Sequence, residues 1–334
     1  MSTRHKFGAA FVATFAAALL TCAPAQAQQK LDFVLNWVPG GDHVPYYYAK
    51  KMGWYEKEGI DLSIEPGKGS ALATQKVGAG ANQIGLADMA GVLVAKGKGA
   101  DTVAVYNVYA NSPQGMYWLK SSGIKGIKDL VGKKIGNPAG DGARVMWPAL
   151  AKANGIDPKS VTWVNIDANA KLAGLKSKAI DATTSFYNIH HIFQREIGDD
   201  LGFLAWRDAG QNPYGNSIIV NAKYLAENRA TIDKFVKVTQ RAFAACVKDA
   251  NPCVQAMIDA NGALKFDNEL DNWRLVEELM SDKYSREVAL GIHDDARMAA
   301  DYALVKEAIG LDKEFDVKTV YTNEFLDRSI RMSK

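Results

Sequence analysis

The stretch Leu31-Asp32-Phe33-Val34-Leu35-Asn36-Trp37 decides the reading of the fold, because it is strand-like and the residues after it keep alternating between two periods. Residues 45–58 read as helix, 60–65 as strand, 70–78 as helix, 84–87 as strand, 89–97 as helix and 103–109 as strand. This βαβα order is that of a mostly parallel sheet covered by helices. A second, smaller α/β set begins at Gly132, with strand-like 134–137, 161–165 and 182–185 and helical 143–153 and 171–177. From Ala222 onward the sequence is mainly helical. There Ile232, Phe235, Val236, Phe243, Cys246 and Val247 fall at the helical spacings of one buried stripe.

The 334 residues, 48% hydrophobic and 23% charged, suffice for two lobes with real cores and exclude disorder or fibre. Forty Lys+Arg against 37 Asp+Glu give +3, without the concentrated basic excess of a nucleic-acid surface. Arg4 and Lys6, an apolar run over 7–20 and the small residues around Ala25-Gln26-Ala27 have the order of a secretory signal peptide cleaved near Ala27. The run is too short before Pro24 to span a membrane. Leu19-Leu20-Thr21-Cys22 resembles a lipoprotein box, but Thr21 is bulkier than the usual small residue, so a free soluble form is favoured over a lipid anchor at Cys22.

Cleavage leaves Cys246 and Cys253. On one unbroken helix their Cα atoms would stand about 10.5 Å apart, beyond disulfide reach. Asn251-Pro252 is expected to end that helix and turn the chain back, and in an exported protein a disulfide is then favoured over two buried thiols. Two cysteines without clustered histidines give no zinc site.

Local signatures of catalysis are missing. No Gly-x-Gly-x-x-Gly follows a strand, no phosphate loop is complete, and no His-Glu-x-x-His occurs; Gly67-Lys68-Gly69-Ser70 is a fragment. His190 and His191 are adjacent and face different ways on either helix or strand. Several loops instead suit a ligand. Ser70 is placed to cap a helix whose free N–H groups could hold an acceptor, and Asp141 reads as the cap of the helix carrying Arg144 and Trp147. Asn36-Trp37 leads through Asp42-His43 to Tyr46-Tyr47-Tyr48, Tyr187-Asn188 follows Phe186, and Tyr214-Gly215-Asn216 repeats the aromatic-plus-amide pairing. Aromatic walls with orienting amides suit recognition of a flat organic molecule, and neither group is reactive without activation.

Leu35-Asn36-Trp37, the run from Tyr48 to Leu62 (YAKKMGWYEKEGIDL), Gly69-Ser70, Ile84-Gly85-Leu86-Ala87-Asp88 and Tyr321-Thr322-Asn323-Glu324-Phe325-Leu326 carry a resemblance over the whole mature chain. It resembles the periplasmic solute-binding proteins of ABC importers, in the broad family of thiamine-pyrimidine-precursor, alkanesulfonate and taurine binders. The resemblance implies the type II periplasmic binding protein fold: two α/β lobes, a hinge, a central cleft and a helical C-terminal region. Residues 28–118 and 216–334 would form lobe 1 and 119–215 lobe 2. By position, Asn36 and Trp37 would line the first wall with His43 and Tyr46 beside them. Gly69 and Ser70 would give a helix-start contact, Asp88 the crevice floor, and Tyr187, Asn188, Tyr214 and Asn216 the remaining contacts. Pyrimidine binders carry an acid after the aromatic-Asn pair; here Ile189 and His190 stand there.

The function implied is extracytoplasmic capture of a small aromatic or heteroaromatic molecule, of thiamine-pyrimidine-precursor type, for an importer permease. The protein is expected to work as a monomer, without cofactor, metal or nucleic acid. A sulfonate or aromatic carboxylate is the alternative ligand. A pyrimidine-precursor synthase is the competing enzymatic reading, since the same fold family includes synthases using pyridoxal phosphate and histidine chemistry. Those carry a cysteine-rich motif absent here.

Overall fold

The computed structural model describes residues 1–3 and 28–333, so the expected signal peptide, its cleavage near Ala27 and the alternative anchor at Cys22 lie outside the described residues. The strands are β1 (Gln29–Val34), β2 (Ile60–Glu65), β3 (Ile84–Asp88), β4 (Thr102–Asn107), β5 (Gln114–Leu119), β6 (Lys134–Gly136), β7 (Thr162–Val164), β8 (Ala182–Phe186), β9 (Leu201–Ala205) and β10 (Asn216–Asn221). They form two five-stranded sheets, ordered β2-β1-β3-β10-β4 and β7-β6-β8-β5-β9. In the first, β1 runs parallel to β2 and β3, while β10 is inserted antiparallel between β3 and β4. The second repeats the scheme: β6 runs parallel to β7 and β8, and β5 lies antiparallel between β8 and β9. Each sheet thus takes one reversed strand, delivered just after the chain crosses from the other. This is the periplasmic-binding-protein architecture.

The crossings occupy residues 108–113 and 206–215. They are hydrogen-bonded together, with Val108 N donating to Asn216 O (2.8 Å) and Gly215 N to Tyr109 O (3.1 Å). Gly215 is required by that approach, since an added Cβ would lie 2.6 Å from Pro113 Cδ. β5 pairs wholly within the second sheet, so a division at 118/119 cuts through a strand; its run of buried residues from Gln114 to Leu119 is continuous with that sheet, and by pairing the crossing precedes Gln114.

The helix expected over 45–58 is two, Val44–Lys51 and Trp54–Lys57, broken at Gly53 with φ +64°. Helix Arg229–Lys248 buries the anticipated stripe against the first sheet, together with Phe33, Tyr55 and Trp273. Cys246 and Cys253 form a disulfide with Cα atoms 5.7 Å apart. The turn that permits it differs from the expected one. Helix Arg229–Lys248 stops before Asp249, whose side chain caps helix Ala250–Ala260, and Pro252 sits in the first turn of that new helix, where its missing N–H costs nothing.

A second core runs through both lobes. Met89, Val92 and Leu93 of helix Met89–Gly97 pack with Ala143, Met146, Trp147 and Leu150 of helix Gly142–Ala153, and Met298 and Val305 of helix Asp295–Ala308 complete the cluster. Lys152 Nζ donates to the Ala308 carbonyl at its edge. The remaining core, Tyr117, Leu175, Ile180, Phe193 and Leu201, is small and belongs to the second lobe.

Candidate functional site

Between the lobes lies a cleft of about 290 Å³, near the lower end of small-molecule sites. Its first wall is built where the chain leaves β1. Gly67 N donates to Trp37 O (2.9 Å) and Gly69 N to Asn36 O (2.8 Å), so the loop after β2 fixes the loop carrying Asn36 and Trp37. His43 is fully buried behind it. Its Nδ1 accepts from Gly40 N (3.2 Å) and its Nε2 lies 3.1 Å from Asn36 Oδ1, which assigns the Nε2–H tautomer and sets the amide of Asn36. Asp42 Oδ1 lies 3.1 Å from His43 Nδ1. Burial pushes this carboxyl up and this imidazole down, favouring an uncharged pair.

Helix Phe266–Met280 completes this wall with Asn268, Glu269 and Asn272. Glu269 Oε1 accepts from Asn268 Nδ2 (2.9 Å), and burial raises its carboxyl above the usual range. The opposite wall comes from the second lobe: Asp141, Gly142, Ala168, Asn169 and Lys171 on one side, Ser185, Phe186, Asn188, Ile189 and Ile192 on the other. Asp141 works twice. Its Oδ1 accepts from Ala143 N (2.9 Å) as a helix cap, and its Oδ2 holds Lys171 Nζ at 2.9 Å, both side chains being buried. Lys171 Nζ also lies 4.9 Å above the Trp37 ring of the first lobe.

The walls touch at both ends. Gly69, with φ +122°, lies against the Gly140 carbonyl so closely that a Cβ would collide with it. Elsewhere Asn188 Nδ2 donates to Asn272 Oδ1 (2.9 Å), while His191 Nε2 and Arg195 Nη2 approach Asn268 Oδ1 at 3.2 and 3.3 Å. Asn188 Oδ1 is buried and has no partner. The cleft therefore offers aromatic faces from Trp37 and Phe186, acceptors from Glu269 and Asn188, and one cation already matched by a carboxylate.

Of the residues expected from sequence, Asn36, Trp37, Ser70 and Asn188 line the cleft. Gly69 stands next to it, as the cap residue of helix Ser70–Gly78, so Ser70 is the first helical residue and not the cap. The others lie outside the lining of the cleft. His43 supports Asn36 from behind. Tyr46 packs edge-on against Phe33 (4.9 Å) and Phe243 in the first core. Asp88 does not floor the cleft: its Oδ1 caps helix Met89–Gly97 at Ala90 N, and its Oδ2 takes Gln114 Nε2 (3.3 Å). Tyr187 turns to Arg207, whose guanidinium lies 4.8 Å from its ring centre. Tyr214 is buried against His293, and Asn216 is buried in β10 opposite Asp88. Sequence reading missed Lys171, Glu269 and Asn272. Asn268, Glu269 and Asn272 recur at one-turn spacing beside buried Trp273, a signal of a polar stripe facing something other than solvent.

Among the described residues no group of three or more His, Cys, Asp or Glu is placed to hold a metal, and no helix is long and apolar enough to cross a membrane. A Legionella pneumophila protein named 4-amino-5-hydroxymethyl-2-methylpyrimidine phosphate synthase is 25% identical over 311 residues, 91% of this chain and 94% of that one. A Saccharomyces cerevisiae synthase of the same name is 31% identical over 154 residues, 46% of this chain and 45% of its own. Among solved structures, the alkanesulfonate-binding protein SsuA from Xanthomonas axonopodis pv. citri, bound to MOPS, superposes with a TM-score of 0.69 at 15% identity, covering 88% of this chain and 98% of that one. A Candida albicans gene product described as exhibiting the generic periplasmic binding protein structural fold gives 0.66 at 13% identity, covering 90% and 98%. The family profile described as NMT1/THI5 like matches residues 41–252, the greater part of the sequence, and the chain belongs to that family.

Proposed function

We propose that this protein captures a small heteroaromatic molecule bearing N–H donors, outside the cytoplasm, and delivers it as a monomer to the permease of an ABC importer. The observation that carries the reading is the pairing, in one cleft, of aromatic faces with the unmatched acceptor of Asn188 and the carboxyl of Glu269. Asn188 Oδ1 is buried and unpartnered, Glu269 adds a carboxyl, and a ligand amino group satisfies both. The acid absent at Ile189 is thus supplied from the other lobe. Relatives named as synthases of an aminopyrimidine phosphate support the same ligand class.

A sulfonate fits less well. The cation lining the cleft, Lys171, is already paired with Asp141, and Glu269 adds negative charge. The synthase reading meets a similar obstacle. Pyridoxal phosphate needs a free lysine amine, whereas Lys171, the lysine of the lining, is closed into an ion pair with Asp141. These residues do not fit that cofactor, and no step through it is derived.

Calorimetry with 4-amino-5-hydroxymethyl-2-methylpyrimidine, taurine and MOPS tests the reading. The pyrimidine binds and the sulfonates do not; Glu269→Gln and Trp37→Ala each weaken it by about 1–3 kcal/mol. Preferential binding of either sulfonate transfers the protein to the sulfonate branch. Covalent trapping of pyridoxal phosphate on Lys171 by borohydride would return it to the enzymes.

A further inference from the structure

Lys171 is the least expected member of the cleft. It begins helix Lys171–Lys176 of the second lobe, is 5% exposed, and its ammonium is pinned by Asp141 Oδ2 at 2.9 Å. The Asp141 carboxylate is itself fixed by its bond to Ala143 N, so the ammonium is held to the second lobe and leaves the Trp37 face only as the lobes part. From there it reaches across the lobe boundary to the Trp37 ring, with Nζ 4.9 Å from the centroid. A cation over an indole face is attractive, more so when both are shielded from water. Both residues line the ligand cleft.

We propose that Lys171 is a built-in clasp: its ammonium occupies the Trp37 face in the unliganded protein, draws the lobes together, and is displaced when a ring stacks there. The proposal rests on reading the cleft as a ligand site. It makes Lys171 a positioning and selectivity residue, because only a ligand whose ring outcompetes an ammonium for the indole face gains access to it. The other polar cross-cleft contacts, from Asn188, His191 and Arg195, are hydrogen bonds to amide oxygens, which water replaces readily on opening; the Lys171–Trp37 contact has no such substitute.

The test needs no ligand for its first arm. Small-angle scattering of the ligand-free protein is compared with K171M and K171R. K171M, which keeps the length and loses the charge, gives a larger radius of gyration. K171R stays near the wild type, because a guanidinium also stacks on indole. Superimposable curves for wild type and K171M overturn the clasp. Should K171M fail to fold by circular dichroism, K171M/D141N carries no stranded buried charge and answers the same question.

The second arm follows tryptophan fluorescence on mixing with 4-amino-5-hydroxymethyl-2-methylpyrimidine. Releasing the clasp enlarges the open population and speeds association by about tenfold. An equal or slower rate in K171M counts against the proposal. If the pyrimidine binds neither protein, the ligand reading fails while the scattering comparison still decides the clasp.

Discussion

The two lobes share a strand scheme and differ in how they are held. The first carries the long helices Arg229–Lys248 and Phe266–Met280, a disulfide and a large private core. The second has a small private core around Tyr117, Leu175 and Phe193, and shares the rest of its apolar packing with Met89, Leu93 and Met298 of the first. The cleft follows the same division. Its first wall is preset by fixed groups, from Gly40, His43 and Asn36 to Glu269, while its second wall hangs on the 3-10 turn Tyr187–Ile189 and the short helices Lys171–Lys176 and His190–Ile197. One wall is preset by buried hydrogen bonds, and the other rests on short elements.

Core truncation gives the largest effects and tests whether the lobes are separate units. Trp273→Ala, at a fully buried site of the first core, costs about 3–5 kcal/mol, and Leu175→Ala in the second about 2–5. Because the shared core links the lobes, both variants should melt in one calorimetric transition. Two transitions in Leu175→Ala would show that the second lobe unfolds alone.

Next come the buried acids where the lobes meet. Asp301, accepting from Tyr214 N (2.9 Å), is pushed up to about 7 by burial, and Asp88 to about 6. Each binds a proton more tightly folded than unfolded, so stability is fully present below about pH 4 and is lost as pH rises through the folded values. The Asp301 shift is worth up to about 4 kcal/mol. Asp301→Asn, which keeps the acceptor for Tyr214, should shrink the drop in melting temperature between pH 5 and pH 8; an unchanged drop assigns it to other groups.

The disulfide sharpens the contrast from the first lobe's side. Closing so short a loop stabilises by about 2–3 kcal/mol, so C246S/C253S should lower the unfolding free energy by that amount, read from the shift in denaturant midpoint, and leave the single transition intact. The smallest effect belongs to the second wall. Asn188→Ala removes the bond to Asn272 and should cost about 1 kcal/mol of stability, yet weaken ligand further, since the free carbonyl goes with it. Equal losses in both would make Asn188 a mere inter-lobe tie.

Much of this was legible in the sequence, for physical reasons that also mark where it stopped. Period and turn chemistry gave the alternating elements from β1 to β4 and the stripe on Arg229–Lys248, and the cysteine pair followed from spacing and compartment. Asn36, Trp37, Ser70 and Asn188 were found because they follow strand ends, where open α/β sheets present ligand groups. Tyr46 and Tyr214 misled because an aromatic in a loop-like stretch looks available until packing is known. Glu269 and Lys171 were invisible for the opposite reason: each lies on a helix whose charged face reads as solvated, and only the tertiary packing places it in the lining of the cleft.

The placement of β10 between β3 and β4 has a consequence for how the chain is made. A ribosome delivers β1 to β4 first, but the slot between β3 and β4 stays empty until residues 216–221 emerge, after the whole second lobe. The amino-terminal third therefore cannot complete its sheet until about two thirds of the chain has been made. A fold whose first sheet is closed by its last strand couples the completion of one lobe to the synthesis of the other.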